Sequence, residues 1–225
     1  MSARRPEAVP LGLLGGTFDP IHLAHLRLAE EAREALALGR VRFVPAGEPP
    51  HRATPLSAAA HRLEMVRRAT AGNAAFEVDD GEVRARGKSY TVLTLERLRA
   101  ELGPAQPLVL ILGADAFRGL PGWHRWRELF ALAHIAVANR PGAAAQGRQW
   151  PGVLSAELDE ACGTRIDTDP ACLRAAPAGQ VVPFDMTPLA ISASLVRALI
   201  HGGRSARYLL PDSVLDYIGL QHLYR

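Results

Sequence analysis

The 225-residue chain has almost no lysine. Lys88 stands alone among 26 basic residues, and the other 25 are arginine. Any anion site must therefore draw on arginine, histidine, backbone N–H groups or a metal ion. Cysteine is equally scarce: Cys162 and Cys172 form neither a C-x-x-C pair nor a disulfide framework, and read as bystanders. No apolar run approaches the ~18 residues that a membrane span needs, so no membrane association is expected. No charge of one sign dominates. The formal net charge is +3, and the arginines are interleaved with Glu and Asp rather than blocked. Nucleic acid is therefore not an expected partner. Two nucleotide motifs are also missing. Gly12, Gly15 and Gly16 are wrongly spaced for G-x-G-x-x-G, and Lys88 lies in no Walker pattern. A redox dinucleotide enzyme and a P-loop kinase are thereby disfavoured.

Hydrophobic residues make up 48 % and charged residues 22 %, ordinary globular values that exclude a disordered chain, a coiled coil or a collagen. The length suits one domain over 1–225 that buries roughly 70 % of its unfolded surface. The opening MSARRPEAVPLGLLGG mimics a signal peptide weakly, but Pro10 and Gly12 break its apolar stretch and no A-x-A site follows. It reads as a short tail entering a first strand, and a cytoplasmic location is expected.

The chain then alternates. Val9–Leu14 reads as a buried strand ending in Gly15-Gly16. Asp19-Pro20 offers a helix start, with Asp as cap and Pro in the first turn, for a helix running to about Leu38. Val41–Val44 is a second strand, and a helix follows over about 58–69. Phe76–Val83 suggests one or two short strands, and Thr91–Leu102 a helix. Leu108–Leu112, LVLIL, is the clearest buried strand. A helical segment, Trp126–Leu132, precedes a strand at Ile135–Ala138. Residues 142–179 suggest a long surface excursion with room for one helix. Val181–Phe184 returns as a strand, and 192–225 closes the chain with helices at Ser192–His201 and Pro211–Gln221. This β-α alternation calls for an α/β fold, a parallel sheet with helices on both faces and a C-terminal helical extension.

Two strings carry chemistry. The first is GGTFDPIHLAHL, 15–26. A strand runs through a glycine turn into a helix N-terminus, where unpaired N–H groups and the positive dipole end favour an anion. Gly15 and Gly16 let a phosphate approach the backbone closely. His22 and His25 lie three apart, on one face of a helix, where imidazoles donate to phosphate oxygens and stabilise charge developing in phosphoryl transfer. An H-x-x-H pair alone is also compatible with two partly buried structural histidines. A zinc site lacks evident third and fourth ligands. The second string is ISASLVR, 191–197. Ser192 and Ser194 sit where a helix begins, and Arg197 follows about a turn and a half later, so that hydroxyls and a guanidinium could clamp phosphate. A plain Ser-capped surface helix is the alternative.

With both strings present, the sequence resembles the adenylyltransferase branch of the HxGH nucleotidyltransferases, and within it the bacterial nicotinate-nucleotide adenylyltransferases. The resemblance extends along nearly the whole chain through PPHR (49–52), SYT (89–91), LGAD (112–115), LPGW (120–123), RPG (140–142) and the closing LLP…GLQHLYR (209–225). It implies a Rossmann-like parallel sheet. It also implies transfer of AMP from ATP to nicotinate mononucleotide, giving deamido-NAD and pyrophosphate, with Mg2+ carried by the triphosphate and no protein metal site. On this resemblance Gly15, Gly16 and Thr17 line the phosphates near the first strand end. His22 and His25 contact the ATP phosphates as the catalytic pair. Ser192, Ser194 and Arg197 hold the triphosphate from the opposite side, and Asp115, after Gly113, lies at the nucleotide ribose. Thr91 and Trp123 surround the nicotinate ring, while His51, Arg52 and Arg140 are candidates for the mononucleotide phosphate, beside Thr17.

Two positions depart from the family pattern. Ala24 stands where the motif usually has Gly, and His124 follows Trp123 where an aromatic such as Tyr is expected. Rival readings are a sister adenylyltransferase acting on phosphopantetheine or nicotinamide mononucleotide, a cytidylyltransferase, and a non-catalytic nucleotide sensor. A tRNA-synthetase fragment would need a lysine-rich second signature that one lysine cannot supply. A monomer or small homo-oligomer is expected.

Overall fold

The computed structural model describes residues 8–50, 55–139 and 154–225. The first half comprises β1 (Leu11–Gly16), α1 (Leu23–Ala35), β2 (Arg40–Pro45), α2 (Ala59–Thr70), β3 (Phe76–Val78), α3 (Gly81–Arg84) and α4 (Thr91–Leu102). The second half comprises β4 (Leu108–Gly113), α5 (Ala114–Arg118), α6 (Leu129–Leu132), β5 (His134–Asn139), α7 (Ala156–Cys162), α8 (Cys172–Ala175) and β6 (Val181–Asp185), and the chain closes with α9 (Ala193–His201) and α10 (Asp212–Leu220). The strands form one sheet in the order β3-β2-β1-β4-β5-β6. Every neighbouring pair is parallel. This is the expected Rossmann-like α/β fold.

The strand sequences explain the two helical layers. In β4 Leu108, Leu110 and Leu112 face one layer, while Val109 and Ile111 face the other. In β5 Ile135 and Val137 point one way and Ala136 and Ala138 the other. Both faces are apolar because each is covered, as a parallel sheet requires. One layer packs Ala29, Met65, Val196 and Val214 from α1, α2, α9 and α10. The opposite layer packs Leu95, Phe117, Leu129 and Leu158 from α4 to α7. Gly12 is closely packed: a methyl there would lie 2.8 Å from Leu38 Cδ1, and that side chain would have to shift to admit it.

The order also locates the site. β3 is an edge strand, and the chain then crosses back to place β4 on the far side of β1. Connections therefore leave β1 and β4 in opposite directions, and a crevice opens at their carboxyl ends. Gly15-Gly16-Thr17 and Gly113 stand at those ends.

Three expectations need correction. The first helix begins at Leu23, not at Asp19-Pro20. That peptide is cis, and His22 occupies the N-cap in extended conformation (φ −146°, ψ 172°). Asp19 is drawn away from capping because its carboxylate accepts from Leu56 N at 2.8 Å and Tyr224 Oη at 2.6 Å. Residues 79–83 do not continue a strand: Asp79 Oδ1 accepts from Gly81 N at 2.9 Å, and this turn starts α3. The described part of the supposed surface excursion, 154–179, contributes to the core. Leu158, Cys162 and Leu173 are fully buried, the first two under the α4–α6 layer. His51, Arg52 and Arg140 lie outside the described residues. Among the described residues, no helix is long and apolar enough to cross a membrane.

Candidate functional site

Two cavities flank the end of β1. The first, about 1270 Å³ of open space, is lined by Gly15 to Asp19, His22, His25, Leu56, Ser192, Ser194 and Arg197. The two strings singled out in the sequence, one ending at 26 and the other beginning at 191, therefore form one cavity. The second, about 1000 Å³, is lined by Leu13, Leu95, Leu110 and Leu112 from the α4–α6 side, and by Glu82, Tyr90, Thr91, Trp123 and His124. Gly15, Gly16 and Thr17 belong to both. A methyl on Gly15 would meet no protein atom within 4 Å, so its side-chain position is open cavity. A methyl on Gly16 would lie 2.9 Å from the Phe18 ring, so that glycine is fixed by packing.

The first cavity is polar by construction. His22 and His25 stack with ring centroids 3.8 Å apart, and Phe18 meets His25 edge-on at 5.0 Å. His25 Nδ1 accepts from His22 N at 3.3 Å, which sets the angle of its ring at the helix start. His22 is 5 % exposed, and its Nδ1 has no hydrogen-bond partner. Burial lowers its pKa to about 4, so the ring is neutral at pH 7. A buried polar atom without a partner at a cavity wall is one that a ligand or water completes.

Opposite stands the start of α9. Ser192 caps this helix, its Oγ accepting from Leu195 N at 3.1 Å. The plain capping reading therefore holds for that hydroxyl, although the residue also lines the cavity. Arg197 Nη1 donates to Asp19 O at 2.7 Å, and Nη2 donates to Ser194 Oγ at 3.3 Å. The guanidinium is thus held at the cavity edge by the loop that carries His22.

Several residues that shape the site carried no sequence signal. Arg62 is 1 % exposed and donates to Thr17 O (2.8 Å), Ala46 O (2.5 Å), Gly47 O (2.8 Å) and Ser57 O (3.2 Å). It pins the glycine turn to Ala46, Gly47 and Ser57. Within AAHRLEMV it reads as a solvated helix arginine, so only tertiary contact reveals it. In the second cavity Thr94 Oγ1 donates to Glu82 at 2.5 Å, and Ser89 Oγ accepts from Gly47 N at 2.9 Å and Glu48 N at 3.2 Å. Burial pushes the Glu82 carboxyl up from its usual range, against the hydrogen bonds from Thr94 and Ser89. The Tyr90 and His124 rings lie 4.4 Å apart and are tilted by 38°, so the histidine that departs from the family pattern packs on an aromatic neighbour.

Thr91 opens α4 and Trp123 follows the 120–122 turn, and both reach the second cavity. Gly113 and Asp115 line neither cavity. Gly113 ends β4, and the exposed Asp115 carboxylate pairs with Arg118.

The sequence matches the cytidylyltransferase-like family over residues 13–209. It is 58 % identical over 216 residues to a Dechloromonas aromatica protein named "Probable nicotinate-nucleotide adenylyltransferase", covering 96 % of this chain and 98 % of that one. A Halorhodospira halophila protein of the same name is 50 % identical over 204 residues, covering 91 % and 90 %. Among solved structures, the fold is similar to Plasmodium falciparum nicotinic acid mononucleotide adenylyltransferase. The complex with NaAD gives a TM-score of 0.69 at 14 % identity, covering 96 % of this chain and 97 % of that one. The complex with APC gives 0.67 at the same identity and coverage.

Proposed function

The chain belongs to the cytidylyltransferase-like family and, within it, to the nicotinate-nucleotide adenylyltransferases, and from that premise we propose how its two cavities divide the reaction. AMP passes from ATP to nicotinate mononucleotide, giving deamido-NAD and pyrophosphate in NAD biosynthesis. The polar cavity takes the triphosphate and the aromatic cavity takes the nicotinate ring. The observation that carries this division is the shared wall: Gly15, Gly16 and Thr17 line both, so the two substrates meet at the end of β1.

The mononucleotide phosphate attacks the α-phosphorus in line, and pyrophosphate leaves without a covalent enzyme intermediate. A phosphate monoester has a second pKa near roughly 6, so the nucleophile is already ionised at pH 7 and needs no general base. Catalysis is then positioning and electrostatics. His22 and His25 donate N–H groups to phosphate oxygens, and His22 does so as a neutral ring. Arg197, Ser194 and Ser192 bind the triphosphate from the α9 side. Trp123 stacks on the ring, while Thr91 and the backbone N–H groups beside it read the carboxylate. Gly113, the last residue of β4, and Asp115, two residues on, are assigned to the adenosine ribose. His51, Arg52 and Arg140 are assigned to the mononucleotide phosphate.

Mg2+ carried by the triphosphate suits this donor set. Asp19 is the carboxylate among the described lining residues of the polar cavity, and both its oxygens already accept hydrogen bonds. Among the described residues no cluster of three metal-ligating side chains occurs. The ion would be held by phosphate oxygens and water, and would neutralise charge on the leaving pyrophosphate. We place the reaction in the cytoplasm.

The test is pyrophosphate release by purified protein with MgATP. Nicotinate mononucleotide, nicotinamide mononucleotide and phosphopantetheine are compared side by side. Release with the nicotinate substrate is expected. Release with another substrate alone would reassign the aromatic cavity, and ATP binding without release from any would favour a sensor.

A further inference from the structure

The last-but-one residue of the chain is folded back into the phosphate side of the site. Tyr224 Oη donates to Asp19 Oδ1 at 2.6 Å, across 205 residues of sequence. The tail is bent for this contact: His222 and Tyr224 hold left-handed backbone conformations, with φ of 52° and 63°. Leu223 N donates to Ile218 O at 3.0 Å, and His222 N to Gly219 O at 3.3 Å, which turn the tail against α10. Chain ends usually fray, and non-glycine residues at positive φ persist only where their surroundings hold them. The Tyr224 ring packs against the α1–α2–α10 core, and burial together with the Asp19 contact pushes its hydroxyl well above the usual tyrosine range. The hydroxyl therefore stays a donor.

Asp19 is the hub of two further contacts at the same cavity. Its Oδ2 accepts from Leu56 N at 2.8 Å, its backbone carbonyl accepts from Arg197 Nη1 at 2.7 Å, and the residue is 6 % exposed. Leu56, Arg197 and Asp19 all line the polar cavity, whereas none of them lines the aromatic one. Asp19 also stands three residues before His22. Its carboxylate ties Leu56 and Tyr224 to the residue whose backbone carbonyl holds the guanidinium of Arg197, just before the entry to α1.

We propose that Tyr224 is a positioning residue for ATP, fixing Asp19 so that Arg197 and the His22 turn are preset for the triphosphate. The inference rests on the assignment of the polar cavity to ATP. It makes the tail a working part of the nucleotide site, acting on one substrate and not the other.

The decisive variant is Tyr224→Phe, which keeps the ring packing and removes only the donor. KM for ATP is expected to rise about tenfold, the scale of one hydrogen bond to a charged acceptor. KM for nicotinate mononucleotide should stay within about twofold, because that cavity is built on the other side of the sheet. Isothermal titration with a non-hydrolysable ATP analogue should show the same loss of affinity in the absence of turnover. A purely structural role would lower the melting temperature and the active fraction while leaving KM for ATP unchanged, and that result would overturn the proposal. Equal rises in both KM values would do the same. Asp19→Asn should weaken ATP binding, and adding Tyr224→Phe to it should cost nothing further. Full additivity would count against the link, and if Asp19→Asn does not fold, Tyr224→Phe decides alone. Should the wild type release no pyrophosphate, the reaction assignment fails, and the analogue affinity of Tyr224→Phe still decides the role of the tail.

Discussion

His22 carries a cost in the free protein that its place in the cavity explains. Its pKa of about 4 lies below the ~6.5 of an unfolded histidine, because burial penalises the charged ring. Between those values the unfolded chain binds a proton that the folded chain refuses. Stability is therefore intact above pH ~6.5 and falls as pH drops toward 4, by up to about 3 kcal/mol from this residue. Urea denaturation from pH 7.5 to 4 should show His22→Asn losing less stability on the acid side than wild type; parallel curves would contradict the assignment. On the proposed function the same ring is a preorganised donor, so His22→Ala should lower turnover on the order of 10²–10³-fold. A rate within about threefold of wild type would remove His22 from the reaction. Gly15 offers the complementary case. Its missing methyl would touch no protein atom, so Gly15→Ala should melt close to wild type. Yet pyrophosphate release should fall on the order of 10²-fold, since on the proposed division of the cavities the methyl would occupy the meeting point of the substrates. Wild-type activity in this variant would move the reaction centre elsewhere.

Among the elements, legibility followed locality. α4 begins at Thr91 and ends at Leu102 where the apolar spacing places it, because its Val92, Leu95 and Leu98 face is a repeat within one segment. The start of α1 was misplaced because Asp19 is engaged by Leu56 and Tyr224, partners 37 and 205 residues away. α7 shows the same limit. Its segment has weak periodicity, yet Leu158 and Cys162 are fully buried beneath α4–α6. Leu158→Ala should cost about 3 kcal/mol in chemical denaturation, the scale of a buried cavity. A surface position would give under about 0.5 kcal/mol.

At the scale of the molecule, the parallel sheet separates two cavities, to which the proposed function gives two binding tasks. The aromatic cavity draws on β1, β4 and α4, the polar one on the start of α1 and on α9, and among the described residues only the Gly15–Thr17 turn is common. Trp123→Ala should raise KM for nicotinate mononucleotide and spare ATP. Arg197→Ala should raise KM for ATP and spare the mononucleotide. The double variant should show the sum of the two free-energy changes within about 0.5 kcal/mol. Strong non-additivity would mean that the cavities act as one. This division comes from the strand order, in which β4 crosses to the far side of β1 and opens a crevice with two flanks.

The local sequence determined what depends on neighbours along the chain: strands from apolar runs, helices from three-to-four spacing, the glycine turn before His22 and His25, and the serine that caps α9. Those strings were also enough to indicate nucleotide chemistry, because phosphate binding at a strand–turn–helix needs only contiguous backbone and a few adjacent side chains. Tertiary structure alone decided which distant groups support that turn. Arg62 reaches four carbonyls, Glu82 and Ser89 tie the lip of the aromatic cavity, and Tyr224 meets Asp19. Each of these side chains is polar and unpatterned in its own segment. Its partners are fixed only when burial removes water and leaves the hydrogen-bonding atoms of remote segments to satisfy one another.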